Sequence, residues 1–254
     1  MQNHLKKWAR SCEYISKVSV LANIEKIEER IQKACDSAGR KREEITLMGV
    51  SKFVPVSMIE EAVSAGICCF GESRVQEAAE KLVTFRDNFP NVQLHMIGSL
   101  QRNKAKTAAF FFDSIQSVDR LELIAELEKH VSKREKPLEV LLELHSGEES
   151  KSGFKNIDVL LKAAEKILGI QNIKPAGLMI MAPFFSNMSD SSSIKLVRSS
   201  FRHLLKAQKE LEKHFPLGEN GSWNCLSMGM SNDFEIAIEE GSTMLRIGSL
   251  IFKE

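Results

Sequence analysis

Apolar residues at Leu21, Ile24, Ile27, Ile31 and Ala34 recur at intervals of three and four, which is one face of a helix over about residues 18–38. Gly39 stops that helix, and the polar, aperiodic residues 1–17 ahead of it read as an N-terminal arm. Ile45-Thr46-Leu47-Met48-Gly49-Val50-Ser51 is a short apolar run of the kind a strand shows when both its faces are covered. Pro55 and Ser57 then open a helix through Ile59, Ala62 and Val63 that ends at Gly66.

The same pair of elements recurs to the end of the chain. Strand-like runs at 67–70, 92–97, 114–118, 138–144, 174–181, 224–228 and 243–247 alternate with helical stretches. Those stretches fall at 75–85, 101–110, 119–132, 156–168, 194–214 and 233–240, with Asp119 placed as an N-cap. Strands joined by helical crossovers must pair in parallel. Eight such strands in a chain of about 250 residues are the number and length that close a (β/α)8 barrel. The predicted fold class is therefore α/β, a single TIM-type (β/α)8 barrel over residues 18–254. A doubly wound sheet would need a phosphate loop at its switch point, and neither G-x-G-x-x-G nor G-x-x-x-x-G-K-[ST] occurs. The serine-rich run at 186–193 reads as a flexible loop before a helix.

Composition narrows the function. Across 254 residues, Lys+Arg 35 against Asp+Glu 34 gives a formal net charge of +1. No overall field draws the chain to nucleic acid or an anionic membrane, and neither is expected as a partner. Five cysteines (Cys12, Cys35, Cys68, Cys69 and Cys225) cannot all pair, and none forms C-x-x-C, which points to a reducing compartment. Apolar runs fall short of the roughly 18 residues of a membrane span. Val18–Ala22, after Lys6, Lys7 and Arg10, is too short for a signal core. The expected location is cytoplasmic.

Barrel chemistry belongs at the C-terminal ends of the strands. Lys52 stands just past the first strand; a desolvated mouth there would favour the free amine, a nucleophile towards carbonyls. The alternative is a solvent-facing lysine closing a strand. Ser227-Met228-Gly229-Met230-Ser231-Asn232-Asp233 follows strand seven, with Asn232 and Glu235 at capping-box spacing, and Arg246-Ile247-Gly248-Ser249 ends strand eight. Backbone N–H groups, glycines and hydroxyls on consecutive strand ends suit an anion, and barrels commonly hold phosphate there. Turns and caps would explain the same residues. Arg246 inside an apolar strand needs a partner: a phosphate, an aromatic nitrogen or a carboxylate. His95 alternates with apolar neighbours and reads as a satisfied core histidine, while Arg102, Lys104 and Lys106 read as a solvated helix face. The charged loop 145–153 lacks the spacing of a metal site.

Together these segments resemble the pyridoxal phosphate (PLP) homeostasis proteins of the YggS/PROSC type. The matching residues are Gly49-Val50-Ser51-Lys52, Phe70-Gly71-Glu72-Ser73-Arg74-Val75-Gln76-Glu77, residues 95–104, Glu149-Ser150-Lys151-Ser152-Gly153, Gly177-Leu178-Met179, residues 226–231 and Arg246-Ile247-Gly248. The resemblance implies a barrel like the N-terminal domain of alanine racemase, with PLP as cofactor. It also implies that Lys52 forms the internal aldimine, that Ser227, Gly229, Gly248 and Ser249 cradle the phosphate, and that Arg246 faces the pyridine nitrogen. This chain departs from the family at Ser73 (usually Asn), Ser99 (Pro), Arg102 (Ser), Ser249 (commonly Thr) and Leu144-His145 (Val-Asn). The implied function is reversible carriage of PLP in intracellular homeostasis, with PLP-dependent apoenzymes as recipients and a monomeric chain. The alternative is a PLP-dependent enzyme such as an amino-acid racemase. Racemases of this fold use a tyrosine as second base, and the one tyrosine here, Tyr14, lies in the N-terminal arm.

Overall fold

A computed structural model describes residues 19–148, 151–185, 190–218 and 221–253. The N-terminal arm, with Cys12 and Tyr14, lies outside the described residues, as do Glu149, Ser150 and residues 186–189 of the serine-rich segment. Eight parallel strands pair in chain order, and the eighth pairs with the first, so the barrel is closed. They are β1 (Thr46–Val50), β2 (Cys69–Glu72), β3 (Gln93–Met96), β4 (Ser114–Val118), β5 (Leu138–Leu144), β6 (Ile173–Ile180), β7 (Cys225–Ser227) and β8 (Met244–Ile247). The (β/α)8 barrel expected from the alternation is the fold observed.

Strand alternation sorts side chains into two sets. Leu47, Phe70, Leu94, Ile115, Leu226 and Leu245 point outwards and join the large core shared with the helices. Their neighbours Met48, Cys69, His95, Gln116, Ser227 and Arg246 form the opposite, inward set, and all six are buried. The barrel interior therefore combines thioether, thiol and polar groups where branched aliphatics would dominate.

The helices are α1 (Val20–Ala38), α2 (Val56–Ser64), α3 (Val75–Lys81), α4 (Val83–Asn88), α5 (Ala105–Phe111), α6 (Leu121–Val131), α7 (Ile157–Leu168), α8 (Ser191–His214), α9 (Phe234–Glu239) and α10 (Ser249–Phe252). Ser19 caps α1 through a bond from the Ala22 N–H, and Gly39 closes it with φ 66°. Its buried stripe of Val20, Ile24, Ile27 and Ile31 packs on α2, α9 and α10. Among the described residues the four-residue α10 follows β8, and α1 packs beside it in the outer ring.

Several local expectations change. The helix expected over 75–85 is two, broken at Leu82, whose fully buried side chain sits at φ −109°, ψ 11°. Arg120, not Asp119, occupies the N-cap of α6, and Asp119 is ion-paired with Arg120. Ser191–Ser193 belong to α8 rather than to a loop: Asp190 accepts from the Ser193 N–H at 2.9 Å and starts the helix three residues early. The four described cysteines are free. No helix among the described residues is long and apolar enough to cross a membrane.

Close approach of β6 to β7 yields a first prediction. A Cβ on Gly177 would stand 1.9 Å from the Cys225 carbonyl oxygen, so backbone must move to admit it. Gly177→Ala should destabilise the barrel by about 2–3 kcal/mol, lowering Tm by roughly 5–10 °C. An unchanged melting curve would contradict this register.

Candidate functional site

At the C-terminal end of the strands the barrel opens into a cavity of about 600 Å³. Of the six residues singled out in the sequence, Lys52, Arg246, Gly248 and Ser249 line it. Ser227 and Gly229 are not in its lining. Ser227 is the last residue of β7, so alternation turns its hydroxyl into the barrel, where it is fully buried. Gly229 turns the chain at φ 96°, and a Cβ there would meet the Ala237 Cβ at 2.6 Å. Gly248 brings β8 against β1: a Cβ would lie 3.1 Å from both Cβ and O of Val50.

Lys52 is exposed at the mouth, not desolvated as expected, and the exposed rings of Phe53 and Phe184 stand beside it. Its backbone, by contrast, is held on both sides. Phe53 adopts the left-handed conformation (φ 61°), uncommon for a bulky residue. Its N–H donates to Glu77 Oε1 at 2.8 Å, and the Arg74 guanidinium lies 5.3 Å from its ring centroid. On the other side, Ser51 Oγ donates to Glu72 Oε1 at 2.6 Å. Lys81 Nζ donates to the same oxygen at 2.7 Å and to the Ser51 carbonyl at 2.8 Å. Glu72 is fully buried, so its charge is tolerable only in such company. Sequence reasoning did not single out Glu72, Glu77 or Lys81. Glu72 and Glu77 stand in the matching segment Phe70–Glu77 but were given no role there; nothing local marked Lys81.

On the β7–β8 side of the cavity, Ser249 Oγ donates to Ser231 Oγ at 2.9 Å. The backbone N–H groups of Ser231 and Asn232 have no protein acceptor among the described residues. Asp233 Oδ1 accepts from the Met230 N–H at 2.6 Å and fixes this turn. Burial pushes the Asp233 carboxyl up, opposed by that N–H and by Arg246. The capping box expected between Asn232 and Glu235 does not form: Asp233 occupies the N-cap, and Glu235 is drawn to Arg30 at 2.6 Å.

Arg246 links the cavity to the interior. It is 4% exposed; Nη1 donates to Ser227 Oγ at 2.7 Å and Nη2 to the Ile180 carbonyl at 2.9 Å. Among the described residues no carboxylate lies within 4.0 Å of it. Burial lowers its pKa, while Asp233 and Glu143 oppose that from a greater distance. Ser227 Oγ donates to Gln116 Oε1 at 2.7 Å, and Gln116 Nε2 lies 2.9 Å from His95 Nδ1. His95 is thus a satisfied core histidine, and burial takes its pKa down to about 4. Glu143, on β5, is 2% exposed; burial and then Asp119 raise its carboxyl to about 7. Arg102 and Lys106 face solvent, as expected of a helix surface.

Residues 22–254 match the alanine racemase N-terminal domain family. A pyridoxal phosphate homeostasis protein from Aquifex aeolicus is 38% identical over 231 residues, covering 91% of this chain and 96% of the relative. The chain belongs to the pyridoxal phosphate homeostasis family. PipY of Synechococcus elongatus PCC7942, solved with PLP bound, superimposes with a TM-score of 0.73 at 29% identity, covering 87% of this chain and 99% of PipY. Alanine racemase from E. faecalis shares only the fold, with a TM-score of 0.66 at 17% identity over 92% of this chain and 58% of the racemase.

The two shifted groups act on stability with opposite signs. Folded His95 refuses a proton that the unfolded chain binds between about pH 4 and 6.5, so it favours the fold as pH rises through that window. Folded Glu143 keeps a proton that the unfolded chain releases between about 4.5 and 7, so its effect falls as pH rises. Glu143→Gln should therefore gain stability relative to the parent between pH 4.5 and 7, by up to about 3 kcal/mol. A pH-independent difference in Tm would contradict the raised carboxyl.

Proposed function

We propose that this chain holds PLP reversibly in the barrel-mouth cavity and acts in PLP homeostasis as a carrier, not a catalyst. The observation that carries the reading is that one cavity brings together a lysine amine, a buried guanidinium and a pair of serine hydroxyls. A pyridine aldehyde bearing a phosphate presents the complementary groups: a carbonyl for the amine, a ring nitrogen for the guanidinium and an anion for the hydroxyls. Cavity volume is ample for such a ligand. The names of the Aquifex relative and the bound PLP in PipY agree with this assignment.

When bound, PLP supplies an electrophilic aldehyde and a ring that can accept electrons. The residues of the chain divide the remaining work. Lys52 would meet the aldehyde at the exposed rim. Ser231 and Ser249, with the N–H groups of Ser231 and Asn232, would take the phosphate; Gly248 lets β8 approach β1, and Gly229 and Ser227 would support the seat from behind. Arg246 would hold the ring nitrogen. A guanidinium can only donate, so it would favour an unprotonated nitrogen and a weak electron sink, which suits storage. PLP-dependent apoenzymes in the cytoplasm are the recipients this role requires, and a monomer would present the rim freely.

Racemisation is the competing reading, and it needs a base on each face of the α-carbon. No tyrosine occurs among the described residues. Burial pushes the Cys225 thiol up to about 12, and Cys225 is not in the cavity lining.

Two outcomes are expected. Borohydride reduction of the PLP-loaded protein should leave the pyridoxyl group on the peptide containing Lys52; labelling mainly at another lysine would sink the assignment. Loaded protein incubated with L-alanine in deuterated water should form no D-alanine at an enzymatic rate (on the order of 1 per second or faster). Such a rate, abolished by Lys52→Ala, would establish the enzyme instead.

A further inference from the structure

We propose that Gln116, held in one amide orientation by His95, is a positioning residue that fixes the Arg246 guanidinium at the inner wall of the cavity. The proposal rests on the reading of Arg246 as the partner of the cofactor ring. Gln116 itself does not line the cavity and acts only through Ser227.

The argument is one of hydrogen-bond polarity. Arg246 can only donate, so Ser227 Oγ must accept from it at 2.7 Å. The single hydroxyl hydrogen of Ser227 then needs an acceptor in a fully buried place, and Gln116 Oε1 is that acceptor at 2.7 Å. With its carbonyl committed, Gln116 turns its NH2 to His95 Nδ1 at 2.9 Å and to Met244 Sδ at 3.1 Å. Nδ1 can accept only in a neutral ring, whose hydrogen then sits on Nε2, facing Gln93 Oε1 at 3.4 Å. Each member of the chain is left with one self-consistent role. A flipped amide would set NH2 against Ser227 and leave the Ser227 hydrogen orphaned; it would also need the His95 hydrogen on Nδ1, turning a bare Nε2 towards Gln93 Oε1. The far end of the chain, more than one side chain away from the cavity, thus decides whether the Ser227 hydrogen has an acceptor that fixes the hydroxyl with a lone pair towards Arg246. Without that acceptor the hydroxyl is free to rotate, and the Ile180 carbonyl is the fixed restraint left on the guanidinium among the described residues.

The test is a double-mutant cycle on PLP affinity, measured by absorbance titration of the apoprotein, with thermal melting of each apo variant alongside. Gln116→Leu should weaken PLP binding about tenfold. Arg246→Met should weaken it at least as much, and adding Gln116→Leu to that background should cost less than about twofold further. His95→Leu, which acts on the same chain from its far end, should match Gln116→Leu. His95→Asn, which returns an acceptor to the place of Nδ1, should stay within about threefold of the parent. Should Gln116→Leu fail to fold, the two His95 variants carry the comparison. Undiminished loss in the Arg246→Met background, or equal affinities for His95→Leu and His95→Asn, would overturn the positioning role while leaving the site reading intact. Parent-like affinity of Arg246→Met would overturn the site reading itself.

Discussion

A guanidinium inside a closed barrel is the constraint on which the rest of the interior depends. Burying an ion costs several kcal/mol unless its hydrogens find acceptors, and Arg246 finds them in neutral groups, Ser227 and the Ile180 carbonyl. Asp233 and Glu143 compensate its charge only from a distance. Burial and Asp119 also hold the Glu143 carboxyl towards its neutral form near pH 7. Arg246 is therefore matched by fixed dipoles in contact with it and by carboxylates only at a distance. This explains why inward positions on β3, β4, β7 and β8 carry His95, Gln116, Ser227 and Arg246, where barrel interiors are usually filled by aliphatic layers.

The rim at the end of β1 is built on a different principle. Around Lys52 the backbone is fixed and the side chain is left free. Lys81 and Glu72 hold Ser51, and Glu77 holds Phe53 in a conformation its side chain disfavours. The amine then projects from a rigid loop into solvent, with Phe53 and Phe184 beside it. On the proposed reading the buried guanidinium would hold the ring and the exposed rim would carry the reactive amine, an arrangement that suits a ligand held and surrendered.

Most of the architecture was legible because period and length act locally. Eight apolar runs separated by helical periods left the closed parallel barrel as the favoured arrangement, and each observed strand lies within two residues of its expected run. Lys52, Arg246, Gly248 and Ser249 were found because strand-end position is itself a signal. Ser227 was read as part of the anion seat although the expected run 224–228 already contained it; as a strand residue it commits its side chain to one face, and that face is the interior. Gln116 and Lys81 were not legible: one sits in an ordinary strand, the other in an ordinary helix. Their roles arise from contacts spanning 111 and 30 residues of sequence, to Ser227 and Ser51.

The central claim is that this cavity takes one PLP per chain through Lys52. Titration of the apoprotein with PLP, followed in the visible spectrum, tests it most directly. The account predicts a band distinct from free PLP that saturates at one equivalent and is absent in Lys52→Ala. A spectrum that never departs from that of free PLP, or an identical saturating band in Lys52→Ala, would contradict it.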